Sequence, residues 1–388
     1  MNYLKKKICI ISGSRAEFGL LENLIKLIKN NEKFELKTII TGSHLSKVYG
    51  ETYKDIIKNK FKIDKKLNIS LEGDSALSLT KSIAIALEKF SKVFKSLKPD
   101  LNVVLGDRYE ILAAVIASSF AKVPIAHIHG GEITEGLIDD SIRHSITKFS
   151  HLHFVANLEY KKRVIQLGEN PKRVFNVGGL GIDSIKNIKL LNKKKLEKDL
   201  NIKFSKRNFL ITFHPVTLEK NTSSQQTQEL LDALDKLHNT SLIFTMPNAD
   251  IDGLKIYDKI IKFTRERKYT YFFKSLGQQK YFSIIKQVDA IVGNSSSGLL
   301  EVPSFKKPTI NIGDRQKGRL QALSIINCEP KSSDINKAIN SIYDKEFSIK
   351  LKKTLNPYGN GGASKKIVEI LSKSNLDSLL KKKFYDLN

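Results

Sequence analysis

Short apolar runs and amphipathic stretches alternate along the first half of the chain. The apolar runs lie in KKICIIS, FELKTIIT, LNVVLGD, VPIAHIH and HLHFVAN, and a polar or glycine-containing turn follows each of them. After the first run, apolar residues recur at helical spacing at Leu20, Leu21, Leu24, Ile25 and Ile28. Nearly continuous apolar runs are typical of strands that are buried on both faces. The pattern therefore predicts a doubly wound parallel sheet with helices on both faces.

The same alternation starts again after a lysine-rich linker at about 186–206. NFLITFHP, TSLIFTMP, DAIVGNSSSG and PTINIGD predict further strands, each followed by a polar turn. A helix at about 364–373 has no strand after it and could cross back to the first half. We therefore predict two Rossmann-like α/β domains, 1–185 and 186–365, with 366–388 as a C-terminal helix packing on the first domain. Two such sheets predict a ligand in an interdomain cleft, at the carboxyl ends of the strands.

The charge of the chain changes this picture little. Its 388 residues, enough for two domains, carry a formal net charge of +26 with 66 basic residues. Ten of these are arginines, which leaves 66 − 10 = 56 lysines spread along the whole chain. Specific nucleic-acid readers use the bidentate arginine fork. We therefore predict a solvated basic surface and no nucleic-acid partner. The alternative, polyanion binding, would give RNA binding with a steep salt dependence.

The cysteines and the apolar segments indicate the compartment. Cys9 and Cys328 form neither a disulfide framework nor a zinc pattern, which fits a reducing compartment. The apolar run 8–11 is too brief for a signal peptide, and the longest apolar stretch, 111–121, is too short to span a bilayer. We therefore predict a cytoplasmic protein without a membrane partner.

Two motifs of the first half follow buried strands. In GSRAEFG, a glycine turn opens a helix whose amide groups and dipole suit a phosphate or carboxylate, and Arg15 adds a forked donor. In LGDRYE, Asp107 and Arg108 stand where a strand ends. An aspartate there could simply cap the helix that starts at Glu110, but such capping does not explain the arginine beside it.

The stretch HIHGGEITEGLIDDSIRHS is rich in histidines and carboxylates. His127 and His129 alternate on a strand end and should point to opposite faces, with one of them buried and structural. Glu132 lies in the loop that follows. Metal ligands need set spacings such as HExxH, and that pattern is absent. The stretch therefore favours acid–base chemistry without a metal.

The same stretch ends in a predicted helix. Asp139 or Asp140 is expected to cap a helix that begins near Ser141, with Arg143 and His144 in its first turn. This places further charged side chains at the carboxyl edge of the sheet.

Polar groups of the second half also follow predicted strands. His214 follows the first of them in FHPVT. Small residues after a later strand suit a diphosphate at a helix start: Ser295, Ser296, Ser297 and Gly298. Glu301, about one turn further, could reach ribose hydroxyls, and Arg315 after the next strand could neutralise a diphosphate. A plain serine-rich helix cap is the alternative for the turn, and a structural histidine is the alternative for His214.

Taken together and in order, these motifs resemble those of the hydrolysing UDP-N-acetylglucosamine 2-epimerases, which supply sialic and legionaminic acid synthesis. The motifs are SGSRAEFG, LGDRYE, HIHGGE, DDSIRHSITK, EYKKRVIQLGE, FHP, GNSSSGLLEVPS and INIGDRQKGR. The resemblance covers nearly the whole chain. It implies the two-domain GT-B fold, a UDP-sugar in the interdomain cleft, a homo-oligomer such as a dimer or tetramer, and no nicotinamide, metal or other cofactor.

The resemblance also implies the chemistry. UDP leaves by anti elimination across C1 and C2 to give a glycal, and water then adds with the opposite configuration at C2. Stabilisation of the leaving diphosphate and a positioned acid and base are both required. The catalytic candidates are Asp107, His129, Glu132, Asp139 and His214. The UDP-sugar contacts are Arg15, Arg108, Arg143, Ser295, Ser296, Ser297, Gly298, Glu301 and Arg315.

One departure from the family leaves a role open. Many relatives have HIEGGE, with a catalytic glutamate where this chain has His129, so either His129 or Glu132 takes that role. The substrate is predicted to be UDP-N-acetylglucosamine or UDP-N,N′-diacetylbacillosamine, and the long TEGLIDD loop slightly favours the second. A GT-B glycosyltransferase that uses a UDP-sugar is the alternative enzyme, and a metal hydrolase is a third.

Overall fold

The computed structural model describes residues 5–69, 75–135, 137–216, 222–247 and 253–387, and the chain forms two compact units. Unit 1 contains Met1–Glu132, Asp139–Lys186 and Tyr358–Asn388, and unit 2 contains Ile133–Ile138 and Asn187–Pro357. A short segment of the first half therefore belongs to unit 2, and the end of the chain belongs to unit 1.

Unit 1 is built on a seven-stranded parallel sheet with the order β3-β2-β1-β4-β5-β6-β7. Its strands are β1 (Lys6–Ser12), β2 (Phe34–Thr41), β3 (Lys65–Leu67), β4 (Leu101–Leu105), β5 (Ile125–Ile128), β6 (Leu152–Val155) and β7 (Val174–Asn176). Its first helices are α1 (Arg15–Lys29), α2 (Tyr53–Lys58), α3 (Ala76–Leu97), α4 (Tyr109–Phe120), α5 (Ile138–Phe149), α6 (Leu158–Gln166) and α7 (Leu180–Asn187).

Unit 2 repeats this plan on a six-stranded parallel sheet with the order β10-β9-β8-β11-β12-β13. Its strands are β8 (Arg207–Thr212), β9 (Thr240–Thr245), β10 (Thr270–Phe273), β11 (Ala290–Gly293), β12 (Thr309–Ile312) and β13 (Ile325–Cys328). Its helices are α8 (Lys193–Leu200), α9 (Ser223–Asp235), α10 (Gly253–Glu266), α11 (Gly277–Gln287), α12 (Ser297–Leu300), α13 (Ser332–Ser341) and α14 (Lys345–Lys352). The predicted linker at 186–206 is thus partly helical, because α8 lies within it.

The last helix, α15 (Ala363–Lys373), packs in unit 1. The Asp183 carboxylate of α7 accepts hydrogen bonds from the amides of Ala363, at 3.0 Å, and Ser364, at 2.6 Å, in the first turn of α15. Ile367 and Leu371 are fully buried in the same apolar cluster as residues of α1.

Both faces of the unit 1 sheet are covered by apolar side chains. Ile8 and Ile10 of β1 belong to one cluster, whereas Cys9 and Ile11 belong to the cluster on the other face. This alternation confirms the predicted strands with two buried faces. The two parallel sheets confirm the predicted pair of doubly wound α/β folds. None of the described helices has the length and apolar character that a membrane span requires.

The strand order reverses once in each sheet. In unit 1 the reversal lies between β1 and β4, and in unit 2 it lies between β8 and β11. Loops that leave the carboxyl ends of two such strands diverge to opposite faces and open a crevice, which is where ligands of these folds bind. The sequence motifs 13–15, 106–108, 213–216 and 294–298 directly follow these four strands.

Candidate functional site

In unit 1, Arg143 joins three segments of the chain. Its side chain is 1% exposed and forms an ion pair with Asp107, which follows β4. Its Nη1 donates to the Glu132 carbonyl at 2.9 Å and to Asp140 Oδ1 at 3.2 Å. A buried guanidinium with this many acceptors is a fixed charge, so it holds the partly exposed Asp107 carboxylate in one place.

The residue before the next helix is Arg108 rather than Asp107. Helix α4 begins at Tyr109, and the Arg108 side chain makes no capping hydrogen bond to it. The Asp107 carboxylate, one residue earlier, accepts a hydrogen bond from Arg143. Asp107 is therefore tied to Arg143 as well as placed at the end of β4.

The start of α5 also differs from the prediction. The helix begins at Ile138 rather than near Ser141, so Asp139 and Asp140 lie in its first turn and Arg143 lies one turn further along. Carboxylates stabilise the first turn of a helix through its dipole as well as by capping it, and the sequence does not distinguish the two positions. Asp140 also lies 3.4 Å from His144 Nε2.

His129 and Glu132 are in direct contact. His129 Nδ1 lies 3.3 Å from Glu132 Oε1, and both side chains are buried. His129 Nε2 accepts a hydrogen bond from the Leu180 amide at 3.4 Å, so the ring proton belongs on Nδ1, facing the carboxylate. The backbone of His129 is left-handed, with φ of 66°, because β5 has already ended at Ile128.

His127 is a structural histidine. Its Nε2 donates to the Gly106 carbonyl at 2.8 Å, and its Nδ1 accepts from the Thr147 hydroxyl at 3.1 Å. Burial lowers its pKa to about 3, so the ring is neutral at physiological pH. It fixes the turn that carries Asp107. The prediction that one of the two histidines is buried and structural is confirmed for His127, and His129 is buried as well.

The turn after β1 is the third part of the unit 1 cluster. Ser14 caps α1, accepting from the Glu17 amide at 3.3 Å, and Arg15 is the first residue of that helix. The Gly13 amide donates to Glu17 Oε2 at 2.7 Å. Glu17 and Glu110 are both buried here, and the sequence did not single them out because a glutamate in the first helical turn is ordinary dipole compensation.

In unit 2, Asn294 is the residue that organises the site. It is fully buried; its Oδ1 accepts from the His214 amide at 2.7 Å, and its Nδ2 donates to the His214 carbonyl at 2.8 Å. Its own carbonyl accepts from Arg315 Nη1 at 3.2 Å and Gln316 Nε2 at 2.8 Å. The loops after β8, β11 and β12 are thereby held together, which brings His214 and Arg315 to one end of the sheet.

The serine turn follows β11. Ser296 occupies the capping position of the one-turn helix α12 without a side-chain hydrogen bond to it. A Cβ atom on Gly298 would lie 2.6 Å from a Thr309 methyl carbon, so only glycine fits there. The Ser297 hydroxyl oxygen is buried and has no hydrogen-bond partner among the described residues. Ser295 is half-buried, and Glu301 is buried directly after α12.

Each unit therefore collects one set of the predicted residues. Unit 1 brings together Asp107, Arg143, Glu132, His129 and Asp140, with Arg15, Arg108 and Asp139 on adjoining turns. Unit 2 brings together His214, Asn294 and Arg315, with the serine turn beside them. Asn294 was missed because a buried asparagine carries no signal beyond its place in GNSSSG. Within the described ranges, no three His, Cys, Asp or Glu side chains form a metal-binding group.

Comparison with known proteins identifies the family. The family model described as UDP-N-acetylglucosamine 2-epimerase matches residues 26–372. The GDP/UDP-N,N′-diacetylbacillosamine 2-epimerase (hydrolyzing) of Campylobacter jejuni is 49% identical over 99% of this chain and 100% of its own length. Polysialic acid biosynthesis protein P7 of Escherichia coli is 40% identical, with 98% of each chain covered.

A solved structure shows the same fold. The UDP-GlcNAc 2-epimerase from Neisseria meningitidis, crystallised with UDP-GlcNAc bound, gives a TM-score of 0.81 at 20% identity, covering 95% of this chain and 100% of that one. The predicted GT-B-like fold class is thus confirmed, as is the resemblance stated from the motifs. The chain belongs to the UDP-N-acetylglucosamine 2-epimerase family and is an enzyme of the hydrolysing 2-epimerase type.

Proposed function

We propose that the enzyme converts UDP-N,N′-diacetylbacillosamine and water into 2,4-diacetamido-2,4,6-trideoxymannose and UDP. The observation that carries this choice of sugar is the 49% identity, over the whole length of both chains, to an enzyme named for that substrate. UDP-N-acetylglucosamine, giving N-acetylmannosamine, is the second candidate, because a polysialic acid biosynthesis protein is 40% identical over 98% of the chain.

The reaction needs a base near C2 and charge stabilisation at the leaving group. The C2–H bond breaks as a base takes the proton, the C1–O bond breaks with its electron pair going to UDP, and a glycal forms. The C2 hydrogen has no neighbouring carbonyl to acidify it, so departure of UDP must accompany proton removal. Water then adds its hydroxyl to C1, and an acid returns a proton to the other face of C2.

We assign the proton transfers to the unit 1 cluster. Asp107 suits the role because Arg143 fixes its carboxylate while 21% of its side chain stays exposed. Asp139 lies in the first turn of α5, where a carboxylate stabilises the helix through its dipole. His129 and Glu132, in contact with one another, form a further acid–base pair. His214 of unit 2 completes the proposed set.

We assign the nucleotide to the unit 2 cluster. The small turn Ser295–Gly298 and Arg315 would bind the diphosphate, with Glu301 accepting from the ribose hydroxyls. The buried Ser297 hydroxyl has an unused hydrogen bond to give to a phosphate oxygen. Arg15 and Arg108 supply further positive charge from the turns after β1 and β4. Such contacts would stabilise the departing UDP electrostatically.

The test is turnover in D₂O, followed by NMR with EDTA present. Purified enzyme is incubated separately with the UDP and GDP forms of N,N′-diacetylbacillosamine and with UDP-N-acetylglucosamine. We expect free manno-configured sugar with deuterium at C2, and fastest release from the UDP-diacetylbacillosamine sample. Gluco-configured product without deuterium would contradict elimination, and faster turnover of UDP-N-acetylglucosamine would contradict the choice of sugar. Nucleotide release only when an acceptor sugar is added would indicate a glycosyltransferase.

We further propose that the enzyme works in the cytoplasm as a homo-oligomer. The free cysteines Cys9 and Cys328 fit a reducing compartment. Light scattering on the purified protein measures the mass directly, and the 43.8 kDa of a single chain would contradict the oligomer.

A further inference from the structure

Two buried carboxyl groups face residue 13 at the strand-order reversal of unit 1. Glu17 is in the first turn of α1 and Glu110 is in the first turn of α4; they are 8% and 1% exposed. The Gly13 amide donates to Glu17 Oε2 at 2.7 Å. A Cβ atom on Gly13 would lie 2.3 Å from Glu110 Oε1 and 2.8 Å from its carboxyl carbon. Both carboxyl groups therefore pack against the turn that leads to Arg15.

In each of the two carboxyl groups, one oxygen has a partner within hydrogen-bond distance and the other does not. Glu110 Oε1 lies 3.5 Å from Arg108 Nε, and Glu17 Oε2 has the Gly13 amide. Glu17 Oε1 and Glu110 Oε2 are buried with no hydrogen-bond partner among the described residues. Two carboxylates only accept hydrogen bonds, so they cannot satisfy each other. A single proton on one of them turns it into a donor, which two carboxylates lack.

We propose that Glu17 and Glu110 share one proton and act as positioning residues for the sugar-nucleotide chemistry. This inference rests on the proposed function. Glu17 is the neutral member, and Glu110 keeps its contact with Arg108. In this state the pair fixes the relative positions of two turns: the Gly13–Arg15 turn, and the turn that carries Asp107 and Arg108.

The surrounding charges support this distribution of the proton. Burial, and then the like charge of Glu110, raise the pKa of Glu17 to about 8, while the Gly13 amide and Arg108 act against them. Asp107 also disfavours a second negative charge here. The nearby His44 is neutral, because burial lowers its pKa to about 3, so it offers no compensating positive charge.

The pair is tightly packed against the turns around it. A Cβ atom on Gly42 would lie 2.7 Å from the Gly13 carbonyl oxygen and 3.0 Å from Glu110 Oε1. Repulsion between two carboxylates must therefore displace the turns themselves, carrying Arg15 and Arg108 with them. We expect kcat/KM for the UDP-sugar to fall about tenfold per pH unit above about pH 8, as a single ionisation requires.

The same proton makes stability depend on pH. The pKa of Glu17 is raised from 4.5 to about 8 in the folded protein, so folding takes up a proton between these values. Stability must therefore decrease as pH rises through that window. Glu17→Gln keeps the shape, can donate to Glu110 and cannot ionise, so this contribution to the slope should vanish.

The experiment compares wild type, Glu17→Gln and the matched control Glu22→Gln, which changes a more exposed glutamate of the same helix, paired with Lys26. Thermal midpoints are measured from about pH 5 to 9. We expect the thermal midpoint of Glu17→Gln to rise relative to that of wild type as pH increases. The midpoint of Glu22→Gln should differ from that of wild type by a constant amount at every pH. Parallel curves for wild type and Glu17→Gln would overturn the shared proton. This readout does not use activity, so it stands even if the proposed substrate is wrong.

Activity then tests the positioning role. At neutral pH we expect Glu17→Gln to keep kcat/KM within a few-fold of wild type and to lack the alkaline decline. We expect Glu17→Ala to lower kcat/KM about tenfold or more. An inactive but folded Glu17→Gln, or an unchanged alkaline decline, would overturn the proposal. If Glu17→Gln fails to fold, Glu110→Gln replaces it, because removing the neighbouring charge should also flatten the dependence of stability on pH.

Discussion

At the scale of single residues, Asn294 supports the candidate site although its side chain has no acid–base chemistry. It makes no proton transfer, yet its amide and carbonyl groups connect the loops that bear His214 and Arg315. Its side-chain amide bonds the backbone of His214, its main-chain carbonyl accepts from the Arg315 side chain, and each lost bond would leave a buried group unsatisfied.

Asn294→Ala should therefore lower both stability and activity. Loss of two side-chain hydrogen bonds is expected to cost about 1–3 kcal/mol and to lower kcat/KM at least tenfold, because the loop that bears His214 loses its support on Asn294. Asn208→Ala is the matched control, since Asn208 makes two hydrogen bonds to the backbone of Ser205 at the other end of β8. It should lose similar stability and keep activity. Equal activity losses in the two variants would contradict a role in positioning.

His129 and Glu132 illustrate what a strand pattern cannot predict. Alternation predicts the face of His129 only while the strand lasts, and β5 ends one residue before it. The left-handed backbone then turns the ring to Glu132 and the Leu180 amide. Which of the two residues takes the family carboxylate's role stays a prediction, but the contact makes it testable.

We expect Glu132 to transfer the proton and His129 to orient the Glu132 carboxylate. Glu132→Gln should lower kcat about 100-fold or more, as loss of a general acid or base does. His129→Asn should cost only about tenfold. Asparagine is preferable to alanine there because it tolerates a left-handed backbone better. The reverse order of the two losses in kcat, in folded variants, would assign the proton transfer to His129.

At the scale of elements, the central strands were predictable and the edge strands were not. Four strands were not predicted from the sequence, and all four are the outermost strands of their sheets: β3, β7, β10 and β13. They are three or four residues long, and β3 (KKL) and β7 (VFN) contain polar residues because an edge strand has only one neighbour. Apolar continuity, the signal that located the central strands, is therefore lost in β3 and β7, whereas β10 (TYFF) and β13 (IINC) keep it and were missed all the same.

A prediction at the scale of elements concerns the first turn of α15. Asp183→Ala removes the carboxylate that accepts from the amides of Ala363 and Ser364, so about 2 kcal/mol of stability should be lost. Urea unfolding measures the loss. Asp344→Ala is the control, because Asp344 occupies the capping position of α14 without a side-chain hydrogen bond to it. A loss for Asp344→Ala as large as that for Asp183→Ala would contradict the capping contribution.

At the scale of the whole molecule, contacts between distant parts of the chain decide what belongs to each unit. Segment 133–138 lies with unit 2, where Glu135 pairs with Lys317 at 3.4 Å and Ile133 packs beside Gly318. No local pattern marks this segment as different from its neighbours. The two doubly wound sheets followed from local periodicity, whereas the assignment of such segments depends on contacts that only the folded chain makes.

The C-terminal tail is attached to unit 1 through Glu169. This buried carboxylate is bonded to Lys148 at 2.7 Å, to Lys382 of the tail at 2.9 Å and to His153 at 3.0 Å. Burial alone would raise its pKa, but the hydrogen bond from His153 and the two lysines lower it to about 2. The carboxylate is therefore ionised in the folded protein well below neutral pH.

Stability should accordingly fall in acid. The pKa of Glu169 is depressed from 4.5 to about 2, so its contribution is complete above about pH 4.5 and is lost as pH falls towards 2. The shift corresponds to roughly 3 kcal/mol. Glu169→Gln should be less stable than wild type at pH 7 and should lose less on acidification to about pH 3. Glu369→Gln, which breaks an exposed pair with Lys373, should follow wild type. Parallel acid profiles for wild type and Glu169→Gln would contradict this account.

The membership of the two units has a consequence for synthesis on the ribosome. The core of unit 1 includes Ala363, Ile367 and Leu371, which are translated after the whole of unit 2. Unit 2 has all of its residues once Pro357 has emerged. Domains usually fold in the order in which they are made. Here unit 1, whose first strands are made before unit 2, must wait with an incomplete apolar core until residues 363–371 have emerged.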